Sequence, residues 1–276
     1  MTKPVALTIA GSDSGGGAGI QADLKAFEAN GVFGTSALAA ITAQNTQVVT
    51  TAYNLPESLI AAQIDTVAED FTLGAVKTGM LAAPGIIETV ADRIAQHALS
   101  PLVVDPVMIS KSGYKLLQDE AIGTLIDVLF PRATLITPNL HEAAHLLDRP
   151  VETLDDAIDA ARALHDTGPD AVLVKGGHLA DTTKAVDVLY DGETVRTVRA
   201  PRIDTPNTHG TGCTYASAIA ARLARGETLA DAVEHAKRYV TAAIRHSLDI
   251  GHGHGPTNHF FHLNAEAAIP ALDTLG

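Results

Sequence analysis

Residues 135–148, LITPNLHEAAHLLD, pass from a short apolar run through Pro138 and Asn139 into a helical pattern. This order predicts a buried strand over residues 134–138 and a helix over residues 139–147. A strand followed by a helix is half of a β-α-β unit, from which parallel sheets are built. Glu142 is therefore expected in the first turn of a helix at the carboxyl edge of the sheet.

The same alternation runs along the whole chain and predicts an α/β fold with a mostly parallel sheet. Continuous apolar runs such as PLVVDP at 101–106 fit strands that are buried on both faces. The predicted strands span 5–10, 36–42, 74–78, 101–106, 134–138 and 171–176, with a hairpin of 185–190 and 194–201. The predicted helices span 18–30, 56–70, 84–98, 118–129, 139–147, 153–166, 211–225 and 228–248. With no internal repeat or linker, we expect a single domain over residues 1–276.

The composition of the chain restricts its possible functions. Its 276 residues are 46% hydrophobic, which suffices for a buried core, and the single Cys213 excludes internal disulfides and Cys-rich metal clusters. The net charge of −13 argues against nucleic acid or an anionic membrane as a partner. No signal peptide and no membrane-length apolar run is visible, so the expected location is the cytoplasm.

Polar and glycine-rich segments follow the predicted strands. In open parallel sheets, ligands bind beyond the carboxyl ends of the strands, so these segments predict a composite active site. The segments are GSDSGGGAG at 11–19, AQNT at 43–46, KTGM at 77–80, DPVMISKSG at 105–113, PNLHE at 138–142, KGGH at 175–178 and NTHGTGCT at 207–214.

The stretch NTHGTGCTYASAIAA at 207–221 is the most specific local signal. Gly210, Thr211 and Gly212 open a helix of small residues, and the first turn of a helix offers unpaired N–H groups to an anion. Cys213 lies in the same turn, where the pKa of a thiol tends to fall. The pattern favours a phosphoryl-transfer site over a plain glycine-rich helix start with a small buried cysteine.

Carboxylates accompany three of the other segments. GSDSGGGAG fits neither the Walker A pattern nor G-x-G-x-x-G, so it is either a flexible turn or a backbone that approaches a small flat ligand. In the second case we expect Asp23, one helical turn further on, to face the pocket. Asp105 and Glu142 follow strands that could be neighbours, and two such carboxylates suit Mg²⁺.

Taken in order over residues 5–245, these segments resemble the ribokinase superfamily and, within it, the hydroxymethylpyrimidine/phosphomethylpyrimidine kinases of thiamin biosynthesis. The motifs that carry the resemblance are IAGSDSGGGAGIQADLKAF, ITAQNT, VKTGML, VVDPVM, KSG, TPNLHEA, VKGGH and THGTGCT. The resemblance implies a ribokinase-like three-layer α/β/α fold, a homodimer, and ATP with Mg²⁺. It also implies phosphorylation of 4-amino-5-hydroxymethyl-2-methylpyrimidine and then of its monophosphate.

By the same resemblance, the backbone N–H groups of Gly210, Thr211, Gly212 and Cys213 would stabilise the transferring phosphoryl group. Cys213 would take the proton of the hydroxymethyl group. Most of the superfamily has Asp at this position, and a thiolate is a weaker base than the reaction ideally needs. Metal-bound phosphate is therefore a second acceptor for this proton.

The resemblance also implies which residues hold the pyrimidine. Gln44 would read the edge of the ring, because its amide can donate and accept in one plane. Asp23 would face the amino group or a ring nitrogen. Gly11 and Val107 would pack on the ring, and Met80 would form a wall of the pocket.

A second set of residues is implied for the nucleotide and the metal. Asn139 and Glu142 match the Asn-x-x-Glu element that manages Mg²⁺ and phosphate, and Asp105 is a further metal-side carboxylate. Lys175 and Lys237 would contact phosphate or nucleotide. Residues 108–117 would form a flap that excludes water.

Three alternatives stay open at the level of sequence. A pyridoxal kinase, or an enzyme that accepts both rings, would share the fold and the cysteine-type loop. HEAAH at 141–145 matches the H-E-x-x-H pattern of zinc hydrolases, although no third ligand follows at the metzincin spacing. A binding protein without ATP turnover is the third alternative. GHGHG at 251–255 is predicted to be a solvated loop and not a metal site.

Overall fold

The computed structural model describes residues 3–109, 113–114, 116–177, 179 and 183–264. The strands within these ranges are β1 (Val5–Asp13), β2 (Phe33–Gln44), β3 (Val49–Asn54), β4 (Leu73–Thr78), β5 (Leu102–Val104), β6 (Leu135–Ile136), β7 (Val172–Val174), β8 (Lys184–Tyr190) and β9 (Val195–Pro201). The helices are α1 (Gly19–Ala29), α2 (Glu57–Asp70), α3 (Pro84–Gln96), α4 (Asp119–Thr124), α5 (Leu140–Leu147), α6 (Leu154–His165), α7 (Thr211–Ala224) and α8 (Leu229–Arg245).

The strands form one sheet in the order β3-β2-β1-β4-β5-β6-β7-β8-β9. The central strands from β2 to β7 are parallel, while β3 at one edge and the hairpin of β8 and β9 at the other are antiparallel. Apolar side chains of α1, α7 and α8 cover one face of the sheet, and those of α2 to α6 cover the other. The predicted three-layer α/β/α fold with a mostly parallel sheet is confirmed.

Two elements differ from the sequence prediction. Strand β3 was not predicted, because only Val49 of its six residues is buried and it shows no apolar run. The single helix predicted over 118–129 is α4 followed by a π-helical turn, Leu125–Leu129. The predicted flap at 108–117 lies partly outside the described residues. No helix in the described part of the chain has the length and apolar character needed to cross a membrane.

A fully buried ion pair joins α1 to the sheet. Lys77 Nζ, on β4, lies 2.9 Å from both carboxylate oxygens of Asp23, on α1. The same carboxylate accepts hydrogen bonds from Thr8 Oγ1 at 2.6 Å and Ser217 Oγ at 2.7 Å, on β1 and α7. Burial alone would lower the pKa of Lys77, but the charge and hydrogen bond of Asp23, together with the nearby acidic groups of Cys213 and Asp105, outweigh it and raise that pKa. The carboxylate of Asp23 therefore links α1 to β1, β4 and α7.

We expect Asp23→Ala to lower the free energy of unfolding by about 3–5 kcal/mol, because it leaves the Lys77 ammonium buried without its partner. The double variant Asp23→Leu/Lys77→Met should lose less, since no charge then remains buried. Glu28→Ala, which breaks an exposed pair with Lys3, is the control and should cost about 1 kcal/mol or less. Denaturant titration measures all three variants, and equal losses for Asp23→Ala and Glu28→Ala would contradict this account.

Candidate active site

A cavity of about 1020 Å³ opens at the carboxyl edge of the parallel strands. Its volume is at the upper end of the range for ligand sites, about 300 to 1,000 Å³. It brings together nearly all residues that the sequence analysis proposed, namely Gly11, Gln44, Met80, Asp105, Val107, Asn139, Glu142, Lys175, Gly210, Thr211, Gly212, Cys213 and Lys237. The composite site is built from the ends of separate strands, as the rule for open sheets predicts.

Asp23 is the exception among the proposed ligand-binding residues. Its carboxylate is fully buried beneath the cavity, where Lys77, Thr8 and Ser217 occupy its lone pairs. It is not among the residues that line the cavity. The expectation that Asp23 faces a ring is therefore wrong in this structure, because α1 turns the side chain toward the core.

The loop before α7 has the backbone that its glycines predicted. Gly210 is the N-cap of α7 with φ +75°, in the left-handed region, and a Cβ there would overlap the carbonyl oxygen of Gly17. A Cβ built on Gly212 would lie 3.5 Å from Lys175 Nζ and 3.7 Å from Asp105 Oδ2. The N-terminus of a 14-residue helix thus opens beside a lysine, as an anion site requires.

Cys213 lies half-buried in the first turn of this helix. Burial raises the pKa of its thiol to about 11, and the charges of Asp23 and Asp105 add to the rise, although Lys77 and the Gly19 N–H oppose it. The expectation of a lowered pKa is wrong, because burial and two carboxylates outweigh the helix N-terminus.

The second group of residues contains two acids and a lysine. Asp105 Oδ1 accepts hydrogen bonds from Lys175 Nζ at 2.7 Å and Thr137 Oγ1 at 3.0 Å. Asn139 and Glu142 form a capping box on α5, with Glu142 N donating to Asn139 Oδ1 at 2.9 Å and Asn139 N donating to Glu142 Oε2 at 2.7 Å. The predicted position of Glu142 in the first turn is confirmed.

The carboxyl of Glu142 has a displaced pKa. Burial raises this pKa to about 7, and the charge of Asp105 adds to the rise while Lys175, whose Nζ is 4.0 Å away, opposes it. Among the described residues, no group of three His, Cys, Asp or Glu side chains could hold a metal. Two carboxylates nevertheless fit Mg²⁺, which keeps several waters and takes one or two protein carboxylates together with substrate phosphates.

Lys237, on α8, lines the same cavity but is already engaged. Its Nζ donates to Asp187 Oδ2 at 2.6 Å, and Asp187 Oδ1 accepts a hydrogen bond from Gly176 N at 3.1 Å. Any contact of Lys237 with a nucleotide therefore competes with, or is shared with, this carboxylate.

Three further residues line the cavity that no sequence motif had indicated, Asp13, Lys77 and His209. Asp13 Oδ1 accepts the N–H of Gly15, and its Oδ2 lies 2.8 Å from His209 Nε2. An acid within a glycine run, which can accept nearby backbone N–H groups, was the available signal for Asp13. For Lys77 the signal was a charge inside the apolar strand GAVKT.

The two histidines of HEAAH lie at the surface end of the cavity, where both line its wall. Glu142, between them, is committed to the capping box with Asn139. The GHGHG loop is exposed from Gly251 to His254, as predicted.

Known proteins resemble this chain over nearly its whole length. A family described as phosphomethylpyrimidine kinase matches residues 13–258. The hydroxymethylpyrimidine/phosphomethylpyrimidine kinase of Bacillus subtilis (strain 168) is 48% identical over 255 residues, which cover 92% of this chain and 94% of that protein. The matched range includes HEAAH, so the zinc-hydrolase interpretation is set aside.

Two solved structures share the fold. The pyridoxal kinase of Bacillus subtilis, in an ADP complex, superposes with a TM-score of 0.87 at 43% identity, covering 94% of this chain and 98% of that one. The phosphomethylpyrimidine kinase of Clostridium difficile 630 superposes with a TM-score of 0.78 at 44% identity, covering 88% and 100%. By sequence and by fold, this chain belongs to the phosphomethylpyrimidine kinase family, with a ribokinase-like α/β architecture.

Proposed function

We propose that this chain transfers the γ-phosphoryl group of ATP to the primary alcohol of 4-amino-5-hydroxymethyl-2-methylpyrimidine, and then to the resulting monophosphate, in thiamin biosynthesis. The observation that carries the proposal is the single cavity in which Gln44 and the helix start at Gly210–Cys213 lie together. One end of that cavity suits a flat polar ring, and the other suits phosphate. The names of the family and of the relative from Bacillus subtilis support the same reaction.

The ring end of the cavity supports a small heterocycle. A Cβ on Gly11 would lie 3.0 Å from Met80 Cε, so the glycine lets Met80 pack directly against the backbone at this end of the cavity. Val107 lines the same end. We infer that Gly11, Met80 and Val107 sandwich the pyrimidine while the amide of Gln44 pairs with its polar edge.

The phosphate end supports phosphoryl transfer by positioning and charge stabilisation. We propose that the N–H groups of Gly210, Thr211, Gly212 and Cys213 face the transferring group, with Lys175 beside it. Lys237 and Asn139 would contact the nucleotide phosphates.

The proton of the substrate hydroxyl needs an acceptor. With a thiol pKa of about 11, only about one Cys213 in 10⁴ is a thiolate at pH 7. Cys213 is therefore a poor base as the site stands, and we assign it the role of holding the hydroxyl in line. In a loose transition state the proton can leave late, to a phosphate oxygen.

We propose that Glu142 and Asp105 hold Mg²⁺, which when bound neutralises charge on the phosphate oxygens. Asp105 Oδ1 is paired with Lys175, and the capping box uses Oε2 of Glu142, which leaves Oε1 of Glu142 for a cation. Its pKa of about 7 means that protons compete with a cation for this group near neutral pH.

A pyridoxal kinase activity is the second candidate, because the structure of the pyridoxal kinase of Bacillus subtilis is so similar. ATP turnover with each alcohol as sole acceptor separates the two. We expect kcat/KM for the hydroxymethylpyrimidine to exceed that for pyridoxal at least tenfold. Turnover of pyridoxal without turnover of the pyrimidine would overturn the proposal, and binding of the pyrimidine without ATP turnover would indicate a binding protein.

Glu142→Gln and His145→Ala, on the same helix, form a matched pair. Glutamine preserves the capping box but not the charge, so we expect kcat/KM for ATP to fall at least tenfold. His145→Ala should change it less than twofold. A loss of equal size in the two variants would contradict the assignment.

In the unmodified chain, half-maximal turnover should require more Mg²⁺ as the pH falls from 8 to 6, because Glu142 takes up a proton near pH 7.

We further propose a homodimer that buries an exposed apolar patch beside the edge strand β3. The patch contains Ile41 and its cross-strand partner Tyr53, which are 49% and 66% exposed, together with Val48 and Leu59. Sedimentation should give twice the mass of one chain, and Tyr53→Glu should halve it. Leu263→Glu, an exposed residue of the C-terminal turn Phe261–Asn264, is the control. A monomeric unmodified chain would contradict this proposal.

A further inference from the structure

We propose that His209, held by Asp13, fixes which way round the amide of Gln44 lies, and thereby sets the order of hydrogen-bond donor and acceptor offered to the ring. The inference deepens the proposed function and rests on it for the identity of the ring. It makes His209 and Asp13 positioning residues for substrate recognition, acting through Gln44.

The first step is the protonation of the histidine. Asp13 Oδ2 accepts hydrogen bonds from Gly17 N at 3.1 Å and Ala18 N at 2.8 Å, and it lies 2.8 Å from His209 Nε2. Burial alone would raise the pKa of Asp13, but the hydrogen bond and charge of His209, with backbone N–H groups of Ala18 and Gly15, lower it. An ionised carboxylate can only accept, so Nε2 of His209 must carry the hydrogen.

The second step concerns the side-chain amide of Gln44, which lies between His209 Nε2 and Thr42 Oγ1. One terminal atom of Gln44 lies 3.4 Å from His209 Nε2, and the other lies 3.3 Å from Thr42 Oγ1. Thr42 Oγ1 donates its hydrogen to the carbonyl oxygen of Ser12 at 2.7 Å, so toward Gln44 it offers lone pairs only. The amide therefore meets a donor on one side and an acceptor on the other.

Only one orientation of the amide satisfies both neighbours. With its nitrogen toward His209, Gln44 would set one donor against another, and its oxygen would face the lone pairs of Thr42. A half-turn about the terminal bond exchanges the two atoms with little change of position and removes both conflicts. The –NH₂ group then donates to Thr42 Oγ1, and the oxygen shares the Nε2 hydrogen of His209, whose main acceptor is Asp13 Oδ2 at 2.8 Å. The oxygen of Gln44 therefore lies toward His209 and the –NH₂ group toward Thr42.

The fixed amide has a defined free edge. After these two contacts, Gln44 retains one N–H and one oxygen lone pair for the cavity. An aminopyrimidine offers a ring-nitrogen lone pair next to an amino N–H, which pairs with such a donor and acceptor. A ring without that adjacent pair would leave a polar group of Gln44 unsatisfied, which costs affinity.

His209 is held so that it cannot turn away. Its backbone N–H donates to the Gly255 carbonyl at 3.1 Å, and its carbonyl accepts from Thr257 N at 3.4 Å. A Cβ on Gly17 would overlap the imidazole ring and would lie 3.1 Å from Pro256 Cβ. The segment after GHGHG thus acts as a brace behind the histidine, which gives that C-terminal stretch a task in the site.

Two substitutions of His209 test the inference. His209→Leu removes the donor, so we expect KM for the hydroxymethylpyrimidine to rise about tenfold, the effect of one lost hydrogen bond, while KM for ATP changes less than twofold. His209→Gln can donate to both Asp13 and Gln44 and should restore most of the affinity. A glutamine variant as impaired as the leucine variant would overturn the inference.

A double-mutant test with Gln44 distinguishes a positioning role of His209 from a general loss of structure. In a Gln44→Ala background, His209→Leu should raise KM for the pyrimidine no further, because the amide it orients is gone. The control is His97→Leu, which breaks a similar pair with Asp65 (2.7 Å) between α3 and α2 and should leave KM unchanged. An equal rise of KM with and without Gln44 would overturn the inference.

A measurement on the unmodified protein is independent of turnover. Two-bond ¹H–¹⁵N NMR spectra distinguish the tautomers of histidine, and the signal that disappears in His209→Gln identifies His209. A protonated Nε2 in the ligand-free chain supports the inference, and an unprotonated Nε2 overturns it. If the unmodified chain does not phosphorylate the pyrimidine, the proposed function fails, and the NMR result still decides how His209 is protonated.

Discussion

The contact of two glycine loops is the constraint on which the site depends. Gly210 has a left-handed backbone, and a Cβ there would overlap the carbonyl oxygen of Gly17. The loop after β1 and the loop before α7 therefore meet backbone to backbone. A ring bound against the first loop lies next to the helix N-terminus that the second provides. The distance between substrate and phosphate is thus set by the fold and not by mobile side chains.

Paired charges supply the electrostatics of the site within an acidic protein of net charge −13. Near Cys213, the ammonium of Lys77 is matched by Asp23 and that of Lys175 by Asp105. Little positive charge is therefore unbalanced before a ligand binds. The thiol is not activated, chiefly because it is buried and also because both carboxylates oppose its ionisation. A bound triphosphate would therefore need a further cation to balance its charge.

Much of this arrangement could be predicted from the sequence, because strand ends, glycine loops and caps are local features. The position of Glu142 follows from a strand, a proline and an asparagine, and the loop at Gly210 follows from its glycines. Other features depend on contacts between distant segments. The sequence places Asp23 one turn into α1 whether its side chain faces the cavity or the core. Only the packing of β4 and α7 turns it inward toward Lys77. The pairing of Asp13 with His209 joins residues that are 196 positions apart, so no local pattern indicates it.

The central claim is that one cavity holds the ring at Gln44 and its hydroxymethyl group at Cys213. A crystal structure with the hydroxymethylpyrimidine and a non-hydrolysable ATP analogue tests it most directly. The account predicts the amide of Gln44 on the amino edge of the ring, and the hydroxymethyl oxygen within hydrogen-bonding distance of Cys213 Sγ, facing the γ-phosphate. A pyrimidine bound far from Cys213, or with its hydroxymethyl group turned away from the start of α7, would contradict it.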